Sequence, residues 1–283
     1  MSLGSVVLPP LDSHSAHAFL ADCLAAPQTI APLPRIVAQL AELTASQETE
    51  AAQFAHLIQS DPVLTGEVMR LANSPALRPR SAVVSLQQAI AWLGISEVRN
   101  LSMAVMLRGE VFVAPGHDPE CEDLWREAWL AGLWAKEIAR MRRKQVESAY
   151  LSALMHRTGA ALALKLLSRF ELEQRTAMDA HTFNDIVREF EPACGRMLMD
   201  AWRLPGEVQE AASAWRDYRN CAHADLAGTV HAAHLLAQHT LHPQLLGEDT
   251  VLESTVFEEL GVFPEDRRTI LHRREQVRNI AGV

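Results

Sequence analysis

Apolar residues recur at helical spacing along most of the chain. In "PLPRIVAQLAEL", Leu33, Ile36, Val37, Leu40 and Leu43 fall on one stripe, with Pro34 suited to a first turn. "ETEAAQFAHLIQS" repeats the pattern with Phe54, Leu57 and Ile58. "SDPVLTGEVMRLANSP" carries the clearest punctuation. Asp61 can cap a helix, Pro62 fits its first position, and Asn73-Ser74-Pro75 ends it. "SLQQAIAWLG" starts with a capping box, Ser85 with Gln88 three residues on, and stops at Gly94. "SEVRNLSMAVML" then begins a further helix after Ser96.

The clearest break is "APGHDPE", Ala114 to Glu120, where two prolines and a glycine within seven residues cannot continue a helix. It divides the chain into a subdomain over 1–115 and a second over 119–283. The second half is again helical, through "DLWREAWLAGLWAKEIARM", "YLSALMHRTGAALAL", "TFNDIVREFEPACGRMLMDAW", "GEVQEAASAW" and "LAGTVHAAHLLAQHT". The tail predicts two short helices either side of 261–264. No run alternates with a period of two, and no internal repeat has a fixed period. The pattern predicts an all-α protein.

Composition sharpens this without changing it. The 283 residues are 48% apolar and 22% charged, ordinary globular usage with room for a sizeable core. The net charge of -9 disfavours a nucleic-acid or anionic-membrane partner, because phosphate binding needs Lys and Arg to neutralise it. The basic runs Arg140–Lys144 and Arg267–Arg278 read as solvated helix ends or faces. No apolar run reaches the roughly 18 residues of a membrane span, and no secretory leader pattern opens the chain. Four scattered cysteines without a CxxC fit a reduced, cytosolic setting. The six tryptophans are expected to pack within or between bundles.

Three segments together, "LPRIVAQLAEL", "FAHLIQSDPVLTGEVMRLANS" and "SLQQAIAWLGISEVRNLSMA", resemble the HDOD domain, the HD-related output domain of bacterial signalling proteins. The resemblance runs from about Pro32 to His234. It implies a two-lobed fold, an N-terminal helical bundle packed on a C-terminal bundle related to the HD phosphohydrolases. In those enzymes histidines and aspartates hold a metal that activates water against a phosphate ester.

Carried over by position, the resemblance puts the first ligand at Glu127 and the His-Asp pair at His156 and Arg157. The next histidine falls at Glu191, a later His pair near Trp215 and Arg216, and the late aspartate near His234. Only His156 keeps the enzymes' residue. A guanidinium is always charged and offers no lone pair to a metal, so Arg157 argues against a metal, and no cofactor is expected. Arg157 either pairs with Glu127 and Glu191 in place of the cation, or points to solvent past Gly159. His231 and His234 stand three apart on one helix, a spacing that can chelate but lacks a third ligand. Cys221, His223 and Cys194 read as structural. No GxSxG, Gly-rich phosphate loop or extended HD…GYP pattern occurs.

The function expected from this is a non-catalytic signalling module. It would relay a signal through a protein partner, such as a sensor kinase, a receiver domain or a transcription regulator, or through a small ligand. The alternative is a metal-dependent phosphohydrolase with a cation held by His156, His234 and glutamates. A nucleic-acid-binding regulator using the basic tail is a third reading, disfavoured by charge.

Overall fold

Local caps and apolar stripes resolve into helices in the computed structural model, which describes residues 13–26, 39, 51–75, 77 and 82–282. The helix expected over 32–43 lies outside the described residues. Among them no strand occurs. The helices are α1 (Ser13–Ala25), α2 (Ala51–Gln59), α3 (Pro62–Ala72), α4 (Leu86–Leu93), α5 (Ile95–Glu110), α6 (Asp118–Arg142), α7 (Val146–Met155), α8 (Thr158–Gln174), α9 (Ala180–Ala201), α10 (Gly206–Ala214) and α11 (Ala224–Leu241). A 3₁₀ segment, Trp215–Asn220, joins α10 to α11. The tail forms α12 (Glu248–Leu252), α13 (Thr255–Glu259), α14 (Pro264–Leu271) and α15 (Arg274–Ala281). It is more broken than two helices, because the chain turns again at His272–Arg273.

The caps read from sequence form. Asp61 accepts from the Leu64 amide at 2.9 Å, which satisfies one of the orphan donors of α3. Ser85 Oγ accepts from the Gln88 amide at 3.2 Å, and Gln88 Oε1 reaches back to the Val84 amide, one residue before the cap. Gly94, at φ 86°, ends α4 and opens α5 in a conformation that favours glycine.

The molecule is two-lobed and all-α. Helices α2 to α5 pack on one another, and α6 is the axis of the second lobe, with α7, α8 and α11 against it. Helix α1 packs on α8 and α9, so it adds to the second lobe although it comes first in the chain. The lobes meet where α5 reaches α6 and α7. The Tyr150 hydroxyl donates to the Asn100 carbonyl at 2.8 Å, the buried Lys136 ammonium pairs with Glu97, and Arg99 pairs with Glu147.

Two expectations need correction. The basic runs are not simply solvated. The Arg142 side chain is only 9% exposed and binds Asp225, Thr229 and the Leu260 carbonyl. Arg267 is buried and donates to the carbonyls of Val262 and Leu252. Both are structural staples for the tail, whose helix ends leave carbonyls that need donors. Trp92 is not core either, since half of it is exposed at the joint between the lobes. Trp125 and Trp129 do stack, 5.8 Å apart. Among the described residues no single helix is long and apolar enough to cross a membrane.

Candidate functional site

The site is assembled where α8 and α9 cross without side chains between them. A Cβ on Gly159 would sit 2.0 Å from the Glu191 carbonyl oxygen and 2.9 Å from the Gly195 amide nitrogen. Only glycine permits that approach, and it brings Glu191 on α9 beside Arg157 in the turn before α8. Helix α6 supplies Glu127, the end of α7 supplies His156, and α11 supplies His234. The 3₁₀ segment lays Trp215 over both histidines, with ring centroids 5.1 Å from His156 and 4.2 Å from His234.

Of the seven residues placed by position, Glu127, His156, Arg157, Glu191 and His234 stand in one cluster, and Trp215 and Arg216 border it. Arg157 does not point to solvent. Its Nη1 donates to Glu191 Oε1 at 2.5 Å, and its Nε lies 3.1 Å from Glu127 Oε1. The second contact is an ion pair off the hydrogen-bonding direction, since both atoms are buried without an aligned partner. Arg216 Nη2 donates to the other Glu191 oxygen at 3.0 Å while its guanidinium stacks on Trp215. Two carboxylates and two guanidiniums thus alternate, a charge-balanced array that is largely buried except at Arg216, whose side chain is half exposed.

His156 is a neutral partner in this array. His156 Nδ1 is 2.5 Å from the Ala153 carbonyl, which fixes the proton there and leaves Nε2 as an acceptor. His234 Nδ1 lies 2.8 Å from Glu127 Oε1 and 3.2 Å from that Nε2, so a proton on it faces both the carboxylate and His156. Burial pushes His156 down to about 4, against the raising effect of Glu127. Burial alone would raise Glu127. The imidazoles of His156 and His234 and the charge of Arg157 outweigh it and hold the carboxyl well below its usual range. His231 faces elsewhere, with Nδ1 3.1 Å from the Trp215 carbonyl, and burial lowers it too. His231 and His234 therefore do not act as a chelating pair.

Glu127 Oε1, His156 Nε2 and His234 Nδ1 lie within 4.8 Å of one another and are the donors a cation would use. With Arg157 in place a divalent cation does not fit. A cation bonded to Glu127 Oε1 would stand about 4 Å from the guanidinium, a repulsion of roughly 8 kcal/mol at an effective dielectric of 20. The cavity beside the cluster, between His156, Gly159, Glu191, Trp215 and Arg216, is about 20 Å³, room for one water and not for a phosphate ester.

The HDOD domain model matches residues 30–218. The chain belongs to the HDOD family. Its fold is similar to that of a candidate metal-dependent phosphohydrolase from Shewanella amazonensis SB2B, at TM-score 0.70 and 17% identity, covering 95% of this chain and 99% of that one. A candidate signal transduction protein from Marinobacter aquaeolei VT8 aligns at TM-score 0.64 and 23% identity, covering 98% of this chain and 67% of the other. An uncharacterised protein of Treponema pallidum (strain Nichols) is 24% identical over 203 residues, 68% of this chain. The HDOD chain spans 38% of the length of that relative. The structural likenesses establish the HD-related helical fold.

Sequence reasoning overlooked the Gly159–Gly195 crossing and the closure of Glu191 by Arg216. Two glycines inside apolar helix patterns were the available signal for the first. Arg216 was placed by the resemblance only as one of a lost His pair, and its contact with Glu191, 25 residues away in sequence, was not foreseen.

Proposed function

We propose that this HDOD chain is a non-catalytic output module of signal transduction. The observation that carries the reading is Arg157, held between Glu127 and Glu191 where an HD enzyme would place its cation. A site filled by a guanidinium and closed to all but a water has neither the Lewis acid nor the space for phosphoester hydrolysis. The family and the signal-transduction relative of similar fold agree with a relay role. The surface suited to the relay is the cleft of about 260 Å³ at the lobe joint, between Trp92, Leu93, Leu133, Lys136, Val277 and Ile280. A partner protein or small ligand bound there would bear on the Lys136–Glu97 pair and shift one lobe on the other. Sensor kinases, receiver domains and transcription regulators are the partner classes that such a module serves. Four free cysteines suit a reducing compartment, and the cytosol is the proposed location.

The second reading, a metal-dependent phosphohydrolase, draws on the three converging donors of Glu127, His156 and His234. Hydrolysis of bis-p-nitrophenyl phosphate with Mn²⁺ separates the two. The relay reading expects no turnover above a protein-free control and no difference in His156→Ala. Turnover that disappears in His156→Ala would establish the enzyme instead.

A further inference from the structure

We propose that the cavity at the end of α5 binds a single-chain amphiphile with an anionic head, a medium-chain carboxylate of about ten to twelve carbons. This cavity shares no lining residue with the histidine cluster or with the cleft at the lobe joint, and a ligand there goes beyond the relay reading. Its shape and the charge on its rim carry the inference.

The shape follows from one stripe of α8. Leu162, Leu166, Arg169 and Leu172 recur at helical spacing and form the long wall. Val111 and Pro115, from the link between the lobes, and Leu198 and Trp202, from the end of α9, close the other sides around about 250 Å³. Leu162 and Leu172 are ten residues apart, about 15 Å along the helix axis. Spread over that length, the volume gives a section of about 17 Å², suited to one extended hydrocarbon chain. A zigzag chain with bonds of about 1.5 Å advances about 1.25 Å per carbon, so ten to twelve carbons span the cavity. Leu172, 60% exposed, leaves apolar surface at the open end that an occupant would take out of water.

The rim selects the head group. Among the described residues the lining holds two cations, Lys165 and Arg169, and one carboxylate, Glu110, in a chain whose net charge is -9. Lys165 Nζ donates to the Glu110 carbonyl at 2.7 Å, which holds the ammonium at the rim and leaves two of its N–H donors for a ligand. Arg169 lies one turn further along α8. Its guanidinium rests on Phe19, donates to Cys23 Sγ at 3.5 Å and pairs with Glu173 at 3.3 Å. That pair is half exposed, so it holds the arginine weakly and a carboxylate head can compete for it. A neutral head would leave both cations unanswered, and a cationic head would meet two like charges. Apolar walls with a few convergent polar groups at one edge are the usual make-up of a small-ligand site. An occupant would brace Val111 and Pro115, and with them the link between the lobes, against α8 and α9.

Isothermal titration calorimetry of the full chain tests this, with octanoate, decanoate, decanol and decylammonium, each below its micellar concentration. Affinity is expected to rise about three- to fourfold per added CH₂ from octanoate to decanoate. Decanoate should bind about tenfold more tightly than decanol or decylammonium. Leu166→Trp, which fills the cavity, should abolish binding. Lys165→Gln should weaken decanoate about tenfold and leave decanol unchanged. Leu172→Glu places a carboxylate at the mouth, should weaken decanoate by a similar factor, and serves if the tryptophan variant folds poorly, because the position is exposed. No heat with decanoate, equal affinity for decanol or decylammonium, binding that survives Leu166→Trp in a folded chain, or binding unchanged in both Lys165→Gln and Leu172→Glu overturns the proposal. Each of those outcomes leaves the relay reading standing, since that reading rests on Arg157.

Discussion

Replacing Gly159 with alanine probes the contact on which the site depends. The added Cβ would lie 2.0 Å from the Glu191 carbonyl oxygen, against at least 3.4 Å for ordinary contact, and that oxygen belongs to backbone, not to a movable side-chain tip. Helices α8 and α9 must separate by about 1.4 Å locally, or tilt, to admit it. Overpacking of a tight core costs about 1–3 kcal/mol or more, and a backbone clash of this depth belongs at the upper end. Better helix propensity returns at most about 1 kcal/mol. A net loss of about 2 kcal/mol lowers the melting midpoint by roughly 4–8 °C in a chain of this size. The comparison is Gly66→Ala in α3, where a Cβ meets nothing within 4 Å; it is expected to leave the midpoint unchanged or to raise it slightly. Circular dichroism melts of both variants read the difference. A Gly159→Ala protein melting within 2 °C of wild type would refute the close crossing and the placement of Glu191 against Arg157.

Acid should destabilise the fold in two stages. His156 sits near 4 folded against 6.5 unfolded, so the unfolded chain binds its proton first. Stability then falls as pH drops below about 6.5, by about 2 kcal/mol at pH 5, and Glu127, held low among His156, His234 and Arg157, extends the loss at more acid pH. Urea unfolding at pH 7 and pH 5 measures this, and His156→Gln should remove most of the difference. Arg267→Met keeps the aliphatic stem but strands the carbonyls of Val262 and Leu252. It should cost about 3 kcal/mol in the same assay, and a loss under about 0.5 kcal/mol would return Arg267 to the solvated face first expected of it. Ser85→Ala removes the α4 cap and should cost about 1 kcal/mol.

What was legible in the sequence was local. Asp61, Pro62, Ser85 and Gly94 mark helix ends because capping joins residues at most a few positions apart. The family resemblance then brought Glu127, His156, Arg157, Glu191 and His234 to one place. What Arg157 touches stayed open between a carboxylate pair and solvent, because either outcome fits one position in a turn. The staples made by Arg142 and Arg267 were hidden for a related reason. A basic run looks the same whether its carbonyl partners lie in water or 118 residues away. Trp92 misled in the opposite sense. An apolar stripe marks a face, and only tertiary structure shows that this one opens on a cleft.

The central claim is that a guanidinium holds the place of the metal. Metal analysis of the untagged wild-type chain, purified without chelator and dialysed against buffer containing Mn²⁺ and Zn²⁺, tests it most directly. The account predicts well under 0.1 ion per chain that resists dialysis, the same in His156→Ala as in wild type. About one ion per chain, lost in His156→Ala, would contradict it.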